Sequence, residues 1–255
     1  MTEREWLACE DPAPMLKFLG NRLGARTYRL FGVACCRLVE HLLTAPRLVG
    51  MVRYAGSMEP RIEMTFDPAK AVSALGVMER WADGQAKTAE IDGAIWEVQA
   101  AYAMGYGGRS GACHDRDAIA THLAIGALSS AFGETGEFWV LCMLVAQAIG
   151  VTAPQDGWTP VVAEDRANAA MADLLRDIAG NPFRKAGFRP EWRTSTVVQL
   201  AQPMYESKDF GPMPILADAL QDAGCENDDI LAHCRQTDTP HVRGCWVVDR
   251  VLGKS

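Results

Sequence analysis

The chain has 255 residues, of which 49% are hydrophobic and 22% charged, and its formal net charge is −7 at pH 7. These values are typical of a globular protein with one large or two small domains, and they argue against disorder. The negative charge argues against a general nucleic-acid binder, which normally presents a basic face.

The N-terminus and the cysteine content indicate a compartment. Met1 to Trp6 is charged and lacks the apolar core of a secretion signal. The longest apolar run, from Phe138 to Ile149, is interrupted by Gln147 and is too short to span a bilayer. Without an export signal, the eight cysteines are expected to be free thiols or metal ligands rather than disulfides. We therefore predict a cytoplasmic protein that does not enter the membrane.

The first part of the chain predicts a series of helices. Thr2 and Glu5 have the spacing of a capping box, and Asp67 before a proline is a favoured helix start. Cys35 lies on an apolar stripe with helical period, which predicts a small core residue. Helices are predicted over residues 26–43, from 68 to about 82, from 88 to about 104, over 115–131 and over 135–149. The last of these is almost wholly apolar and is expected to be central.

Two prolines, Pro154 and Pro160, bracket a predicted linker between an N-terminal helical region, 1–150, and a C-terminal helical region, 160–255. Further helices are predicted from 160 to about 179, over 214–223, over 228–235 and from Pro240 to near Gly253. Residues 197–205 fit either a helix or a strand. Because no stretch alternates apolar and polar residues over a useful length, we predict a mainly α fold. It is a multi-helix bundle in one or two subdomains, without an extended sheet.

Both ends of the chain carry distinctive motifs. They are EWLACEDPAPMLKFL over 5–19, ACCR over 34–37, LLRDIAGNPFR over 174–184, MPILADAL over 213–220 and HVRGCWVVD over 241–249. Together these motifs resemble a bacterial family of uncharacterised proteins that occurs as many paralogues in one genome. Residues 44–160 depart from the family pattern, apart from 79–84. The resemblance implies a bacterial, largely helical protein and assigns no mechanism.

Metal-ligand residue types concentrate in the last forty or so residues, which hold three of the eight cysteines and two of the five histidines. Cys225, Cys234, His241 and Cys245 have the chemistry of a closed tetrahedral zinc site. A helix that starts at Pro240 would place His241 and Cys245 on one face.

Asp249 is the next residue on that ridge and could support a ligand from outside the coordination sphere. The chain contains no CxxC pair, however, and such pairs are what make a zinc prediction specific. The alternative is that the three cysteines are small core residues and that His233 caps a carbonyl group. A thiolate nucleophile at Cys245, activated by His241, is a further alternative, but the bulky neighbours of Cys245 suggest burial.

The other features favour binding over catalysis. The second helix of the pair around Gly224 begins with acidic residues at 226–229, which would repel a phosphate backbone. Trp6 and Trp158 lie near a terminus or a linker and are candidate anchors for a partner protein, whereas Trp81, Trp96, Trp139 and Trp246 are expected in the core. We therefore predict a non-catalytic protein-binding or regulatory module of a bacterial multi-protein system, in signalling or defence. The alternative is a metalloprotein whose Cys/His zinc site is structural or hydrolytic.

Overall fold

The computed structural model describes residues 1–44, 48–50, 62–64, 67–106, 116–132, 138–153, 160–184 and 186–254. Within these ranges the protein is mainly α, as the sequence predicts. The α-helices are α1 Glu3–Ala8, α2 Pro12–Leu19, α3 Ala25–Leu38, α4 Glu40–Leu43, α5 Pro68–Ala82, α6 Thr88–Tyr106, α7 Arg116–Ala131, α8 Phe138–Thr152, α9 Pro160–Ala179, α10 Ser195–Ser207, α11 Met213–Asp222, α12 Asp228–Arg235 and α13 Trp246–Leu252. Short 3-10 helices cover Gly20–Arg22 and Pro190–Trp192.

Side-chain caps explain several helix starts. Thr2 accepts a hydrogen bond from the Glu5 amide while the Glu5 carboxylate accepts one from the Thr2 amide, which completes the predicted capping box. The Asp67 carboxylate accepts a hydrogen bond from the Ala69 amide at 3.0 Å, one residue beyond the proline at the first helical position.

Two details differ from the sequence expectation. The helix predicted over 26–43 is interrupted at Val39, which separates α3 from α4. Two strands, β1 Leu48–Gly50 and β2 Ile62–Met64, pair antiparallel with Leu48 opposite Met64 and Gly50 opposite Ile62. Three-residue strands are too short to show an alternating pattern, so this strand pair could not be predicted from the sequence.

The described fold divides into two compact units. The central unit comprises Glu10–Ala172, and the terminal unit comprises Met1–Cys9 together with Asp173–Ser255. The division therefore falls inside α9 and not in the linker predicted between 150 and 160. It also places the first nine residues with the C-terminal part of the chain, because α1 bonds to groups there that are distant in sequence.

In the central unit, α7 and α8 pack closely together, and α3 contacts α5, α7 and α8. Cys35 is buried, as predicted. Trp96 and Trp139, however, are 71% and 57% exposed, so the prediction that they lie in the core is wrong. In α8, Leu141 and Val145 are buried whereas Trp139 is not, so only part of this apolar helix faces the core. Apolarity alone could not show which side of it meets solvent.

The terminal unit has one apolar core formed by α10 to α13. Its fully buried members, each 0% exposed, are Val197, Ala201, Leu216, Ala217, Leu220, Ile230, Cys234, Cys245, Val247, Val248 and Val251. The pair Val197 and Val198 belongs to α10, and the pair Val247 and Val248 belongs to α13. Their side chains pack in this core. In the part of the chain that the structure describes, no helix combines the length and apolarity needed to cross a bilayer.

Helix α1 belongs to the terminal unit, and Trp6 is 1% exposed there. The prediction that Trp6 is an exposed anchor for a partner is therefore wrong for this structure. Its apolar ring is buried, and the Arg176 guanidinium donates to the Trp6 carbonyl from Nε at 3.2 Å and from Nη2 at 3.1 Å. The other candidate anchor, Trp158, lies outside the described residues.

Candidate metal site

Four side chains from separate parts of the terminal unit meet at one point. Asp177 comes from the last turn of α9 and His233 from α12, while His241 lies in the non-helical segment that follows α12. Cys245 is the N-cap residue of α13. One ligand atom from each residue lies within 4.8 Å of the other three, so this group could hold a metal ion.

The distances between donor atoms fit a small coordination sphere. Asp177 Oδ1 lies 2.7 Å from His241 Nδ1 and 3.2 Å from His233 Nε2. Cys245 Sγ lies 3.2 Å from His233 Nε2 and 4.0 Å from His241 Nδ1. Tetrahedral zinc with bonds of about 2.0 Å to nitrogen and oxygen and about 2.3 Å to sulfur separates its ligand atoms by roughly 3.2 to 3.6 Å. The four donors therefore need only small shifts to surround such an ion.

Backbone groups hold two of these side chains in place. The second carboxylate oxygen of Asp177, Oδ2, accepts a hydrogen bond from the Val242 amide at 2.9 Å. On the far side of the His241 ring, Nε2 lies 3.1 Å from the Gln236 carbonyl oxygen. When Nε2 carries the proton it donates to this carbonyl, which leaves the Nδ1 lone pair facing the site. Ligating histidines and carboxylates in metalloproteins are commonly oriented by outer hydrogen bonds of this kind.

An indole ring closes one side of the site. The ring centroid of Trp246 lies 5.1 Å from that of His233. Close approach of this indole to the chain after α9 requires glycine at 180, because a Cβ there would lie 3.2 Å from Trp246 Cγ and Gly180 has a φ of +68°. His241 packs edge-on against His233, with their centroids 4.8 Å apart. These contacts limit the access of water to the donor atoms.

Burial and mutual charge shift the pKa values of the group. Burial, followed by the negative charge of Asp177, raises the pKa of the Cys245 thiol well above its usual range. Burial alone would raise the pKa of Asp177, but hydrogen bonds and charges from His233 and His241 outweigh it and the pKa is lowered. For His241, burial acts to lower the pKa, yet the hydrogen bond and charge of Asp177 raise it overall. In the absence of an ion, the site thus holds a neutral thiol beside an ionised carboxylate.

The geometry distinguishes a metal site from a nucleophilic one. A Cys–His–Asp relay needs one ring nitrogen facing the thiol and the other facing the carboxylate. Here His233 presents the same atom, Nε2, to both Cys245 and Asp177. His241 likewise presents Nδ1 to both. Cys245 is also 0% exposed, and its thiol is therefore shielded from any substrate. The alternative of a cysteine nucleophile is not supported by this arrangement, because each imidazole directs one and the same nitrogen at the thiol and the carboxylate.

Only part of the zinc set predicted from the sequence is brought together. His241 and Cys245 belong to the group, whereas Cys225 and Cys234 do not. Cys225 and Cys234 are both buried in the apolar core of the terminal unit. Burial, followed by the charges of Cys225 and Asp177, raises the pKa of Cys234 to about 12. These two cysteines fit the alternative reading of small core residues.

The route by which His241 and Cys245 meet also differs from the expectation. The last helix starts at Trp246 and not at Pro240, so the two residues do not share a helix face. A tight turn joins them instead, in which the Cys245 amide donates to the Val242 carbonyl at 2.8 Å and Gly244 adopts a φ of +100°. Asp249 is buried in α13 but is not a member of the ligand group.

Sequence reasoning missed Asp177 and His233 as ligands. For His233 the sequence suggests only the capping of a carbonyl group, as part of the alternative to a zinc site, although it precedes His241 by eight residues in a segment rich in ligand types. Asp177 has a weaker signal. It lies three residues after Leu174 and one before Ile178, on the apolar side of α9, where an ionisable group is expected to have a partner. Asp177 is more than fifty residues from the other ligands in the sequence, so the sequence does not show which groups are its partners.

Comparisons of this chain with protein-family models, with curated proteins and with solved structures found no match. Membership in the paralogue-rich bacterial family therefore stays a prediction.

Proposed function

We propose that the terminal unit is a zinc-binding module in which Asp177, His233, His241 and Cys245 form a closed, four-ligand structural site. The observation that carries this proposal is the convergence of one donor atom from each residue on a common point, with the same nitrogen of each imidazole facing both anionic ligands. The proposal retains the zinc predicted from the sequence but changes half of the ligand set.

Charge balance supports a divalent ion. With a thiolate at Cys245, a carboxylate at Asp177 and two neutral imidazoles, the ligands carry two negative charges, which Zn²⁺ neutralises. A neutral assembly is the one a buried site tolerates, because an unpaired charge away from water is costly. The ligand types, one sulfur, two imidazole nitrogens and one carboxylate oxygen, also favour zinc over Mg²⁺ or Ca²⁺, which prefer oxygen.

A structural role fits better than a hydrolytic one. Catalytic zinc sites normally have three protein ligands and leave the fourth position to water or substrate. Here four protein donors are available, and Trp246 covers the His233 side. Two of the ligands lie in the segment between α12 and α13, so the ion would fasten the last helix to α9 and α12. Such an ion contributes its binding free energy to folding.

We expect about one zinc ion per chain in protein purified without chelators, measured by elemental analysis. We also expect Co²⁺-substituted protein to show the visible absorption of a tetrahedral site with a thiolate-to-cobalt charge-transfer band from one sulfur. Substoichiometric zinc, copper and iron in the purified protein, together with an octahedral cobalt spectrum, would rule out the proposal. A cobalt spectrum with two or three thiolates would point to Cys225 and Cys234 instead.

A second candidate function, binding of a protein partner, rests on the surface of the central unit. Trp139 and Met143 lie one helical turn apart on α8 and are 57% and 40% exposed, and Trp96 on α6 is 71% exposed. Exposed tryptophans are enriched in protein interfaces. This candidate keeps the partner-binding role predicted from the sequence and moves it to other tryptophans.

The free cysteines of the described chain fit a reducing compartment such as the cytoplasm.

Replacement of Trp139 by serine is expected to abolish capture of a specific partner from the native host, because hot-spot tryptophans typically contribute about 2 kcal/mol or more to an interface. The folding stability should change little, since the ring is mostly exposed. Pull-down with quantitative mass spectrometry measures the capture, and Gln85→Ser, at an exposed position of the same unit outside α6 and α8, is the control. If wild type and Trp139→Ser capture the same proteins, this surface is not the interface.

A further inference from the structure

Helix α1 is held against the terminal unit by the residue that precedes a proposed zinc ligand. The Arg176 guanidinium donates to the Trp6 carbonyl and to the Cys9 carbonyl at the end of α1. An ion pair with Asp173 at 2.7 Å orients the same guanidinium. Asp177, the next residue of α9, contributes its carboxylate to the metal group. The turn of α9 that positions a ligand therefore also binds the end of α1.

A second set of contacts links α1 to the helix of another ligand. At the start of α1, Glu3 Oε1 accepts hydrogen bonds from Asn181 at 2.8 Å and from Arg184 Nε at 2.6 Å. The other side of the Arg184 guanidinium pairs with Asp229 at 2.8 Å. Asp229 lies in the first turn of α12, one helical turn before His233. Arg176 thus bonds α1 to α9, and Arg184 bonds α1 to α12. These are the two helices that must approach each other at the metal.

We propose that zinc occupancy controls the docking of α1, so that the N-terminal helix acts as a latch that closes when the site is loaded. This inference rests on the proposed zinc site. An ion coordinated by Asp177 and His233 fixes the spacing between α9 and α12. That spacing is the one at which Arg176 reaches the end of α1 and Arg184 spans Glu3 and Asp229. When the ion leaves, the spacing relaxes and α1 loses the geometry of its contacts.

Thermodynamic linkage makes the effect reciprocal. If zinc strengthens the docking of α1 by a given factor, docked α1 must strengthen zinc binding by the same factor. The individual ion pairs at the surface contribute little by themselves. The half-buried bonds from Arg176 to two carbonyl oxygens are the larger part, because they satisfy acceptors at the end of α1. Release of α1 would expose the apolar Trp6 ring, which partner proteins or proteases could then bind.

The test uses the full chain with zinc bound and with zinc removed by a chelator. Hydrogen–deuterium exchange is measured for residues 1–9 and, as an internal reference in the same unit, for α10. We expect zinc to slow exchange in residues 1–9 at least about fivefold more than in α10, which is the low end of typical coupling between sites. Equal protection of both segments would show general stabilisation of the unit and would overturn the latch.

The reciprocal measurement uses the zinc affinity of folded variants. The double variant Arg176→Gln, Arg184→Gln is expected to bind zinc about five- to tenfold more weakly in chelator competition. Arg193→Gln, which removes a bond to the Arg250 carbonyl without touching α1 or the ligands, should bind zinc as the wild type does. If the double variant binds zinc within twofold of wild type, the latch is disproved while the zinc site stands. If the wild type binds no zinc, both proposals fall.

Discussion

Replacing Cys245 with alanine is expected to reduce bound zinc from about one ion per chain to a trace. The substitution removes the sulfur ligand and leaves three donors, and Asp177 then faces the two histidines without an ion. Since the binding free energy of a structural zinc is part of the folding free energy, the free energy of unfolding should also fall by several kcal/mol. Elemental analysis and urea unfolding in zinc-containing buffer measure the two effects.

Cys225→Ala and Cys234→Ala are matched controls, because both cysteines are buried in the same core and both belong to the set predicted from the sequence. Each should keep its zinc and lose only about 1 kcal/mol of stability for the lost contacts. The series discriminates between the two ligand sets. Zinc loss in Cys225→Ala or Cys234→Ala, with zinc retained in Cys245→Ala, would refute the site described for the terminal unit.

Replacing Trp6 with alanine is expected to lower the free energy of unfolding by about 3 to 5 kcal/mol, the range for removing a large aromatic side chain from a core. The indole is 1% exposed, so the substitution leaves a cavity in the terminal unit. Urea unfolding of the zinc-loaded protein measures the change.

Leu7→Ala is the control for this substitution, because the neighbouring leucine on the same helix is 55% exposed. It should alter stability by no more than about 0.5 kcal/mol. An exposed partner anchor at position 6 would give the opposite pattern, with little loss of stability on replacing Trp6. A change below about 0.5 kcal/mol for Trp6→Ala would therefore contradict the burial of α1 in the terminal unit.

Local chemistry explains which parts of the fold could be predicted. Helices α1, α5 and α12 begin at N-cap residues whose side chains accept a hydrogen bond from a backbone amide two or three residues further on, namely Thr2, Asp67 and Asn227. The end of α9 before Gly180 follows from the positive φ that glycine tolerates. These interactions are short in sequence, and a pattern of residues reports them directly.

The sequence does not show which apolar faces of the helices are covered by other elements, so the burial of individual tryptophans was predicted less well. The sequence makes Trp6 a candidate surface anchor and predicts Trp96 in the core, whereas Trp6 is buried and Trp96 is exposed. A tryptophan on an apolar stripe becomes core only if another element covers that stripe. The start of the last helix was misplaced for a related reason. The segment at 240–245 is non-helical, and it is held by hydrogen bonds to Asp177, which is more than sixty residues earlier in the chain.

The sequence by itself determined that the protein is mainly α, where most helices begin and end, and that metal-ligand chemistry concentrates near the C-terminus. Periodicity and capping depend on residues that are close together in the sequence, and composition does not depend on residue order at all. Only the tertiary structure decided which ligands meet. Asp177 joins His233, His241 and Cys245 because α9 packs beside α12 and the final turn, whereas Cys225 and Cys234 face the apolar core. A coordination sphere a few ångströms wide depends on these long-range contacts, which no local pattern encodes.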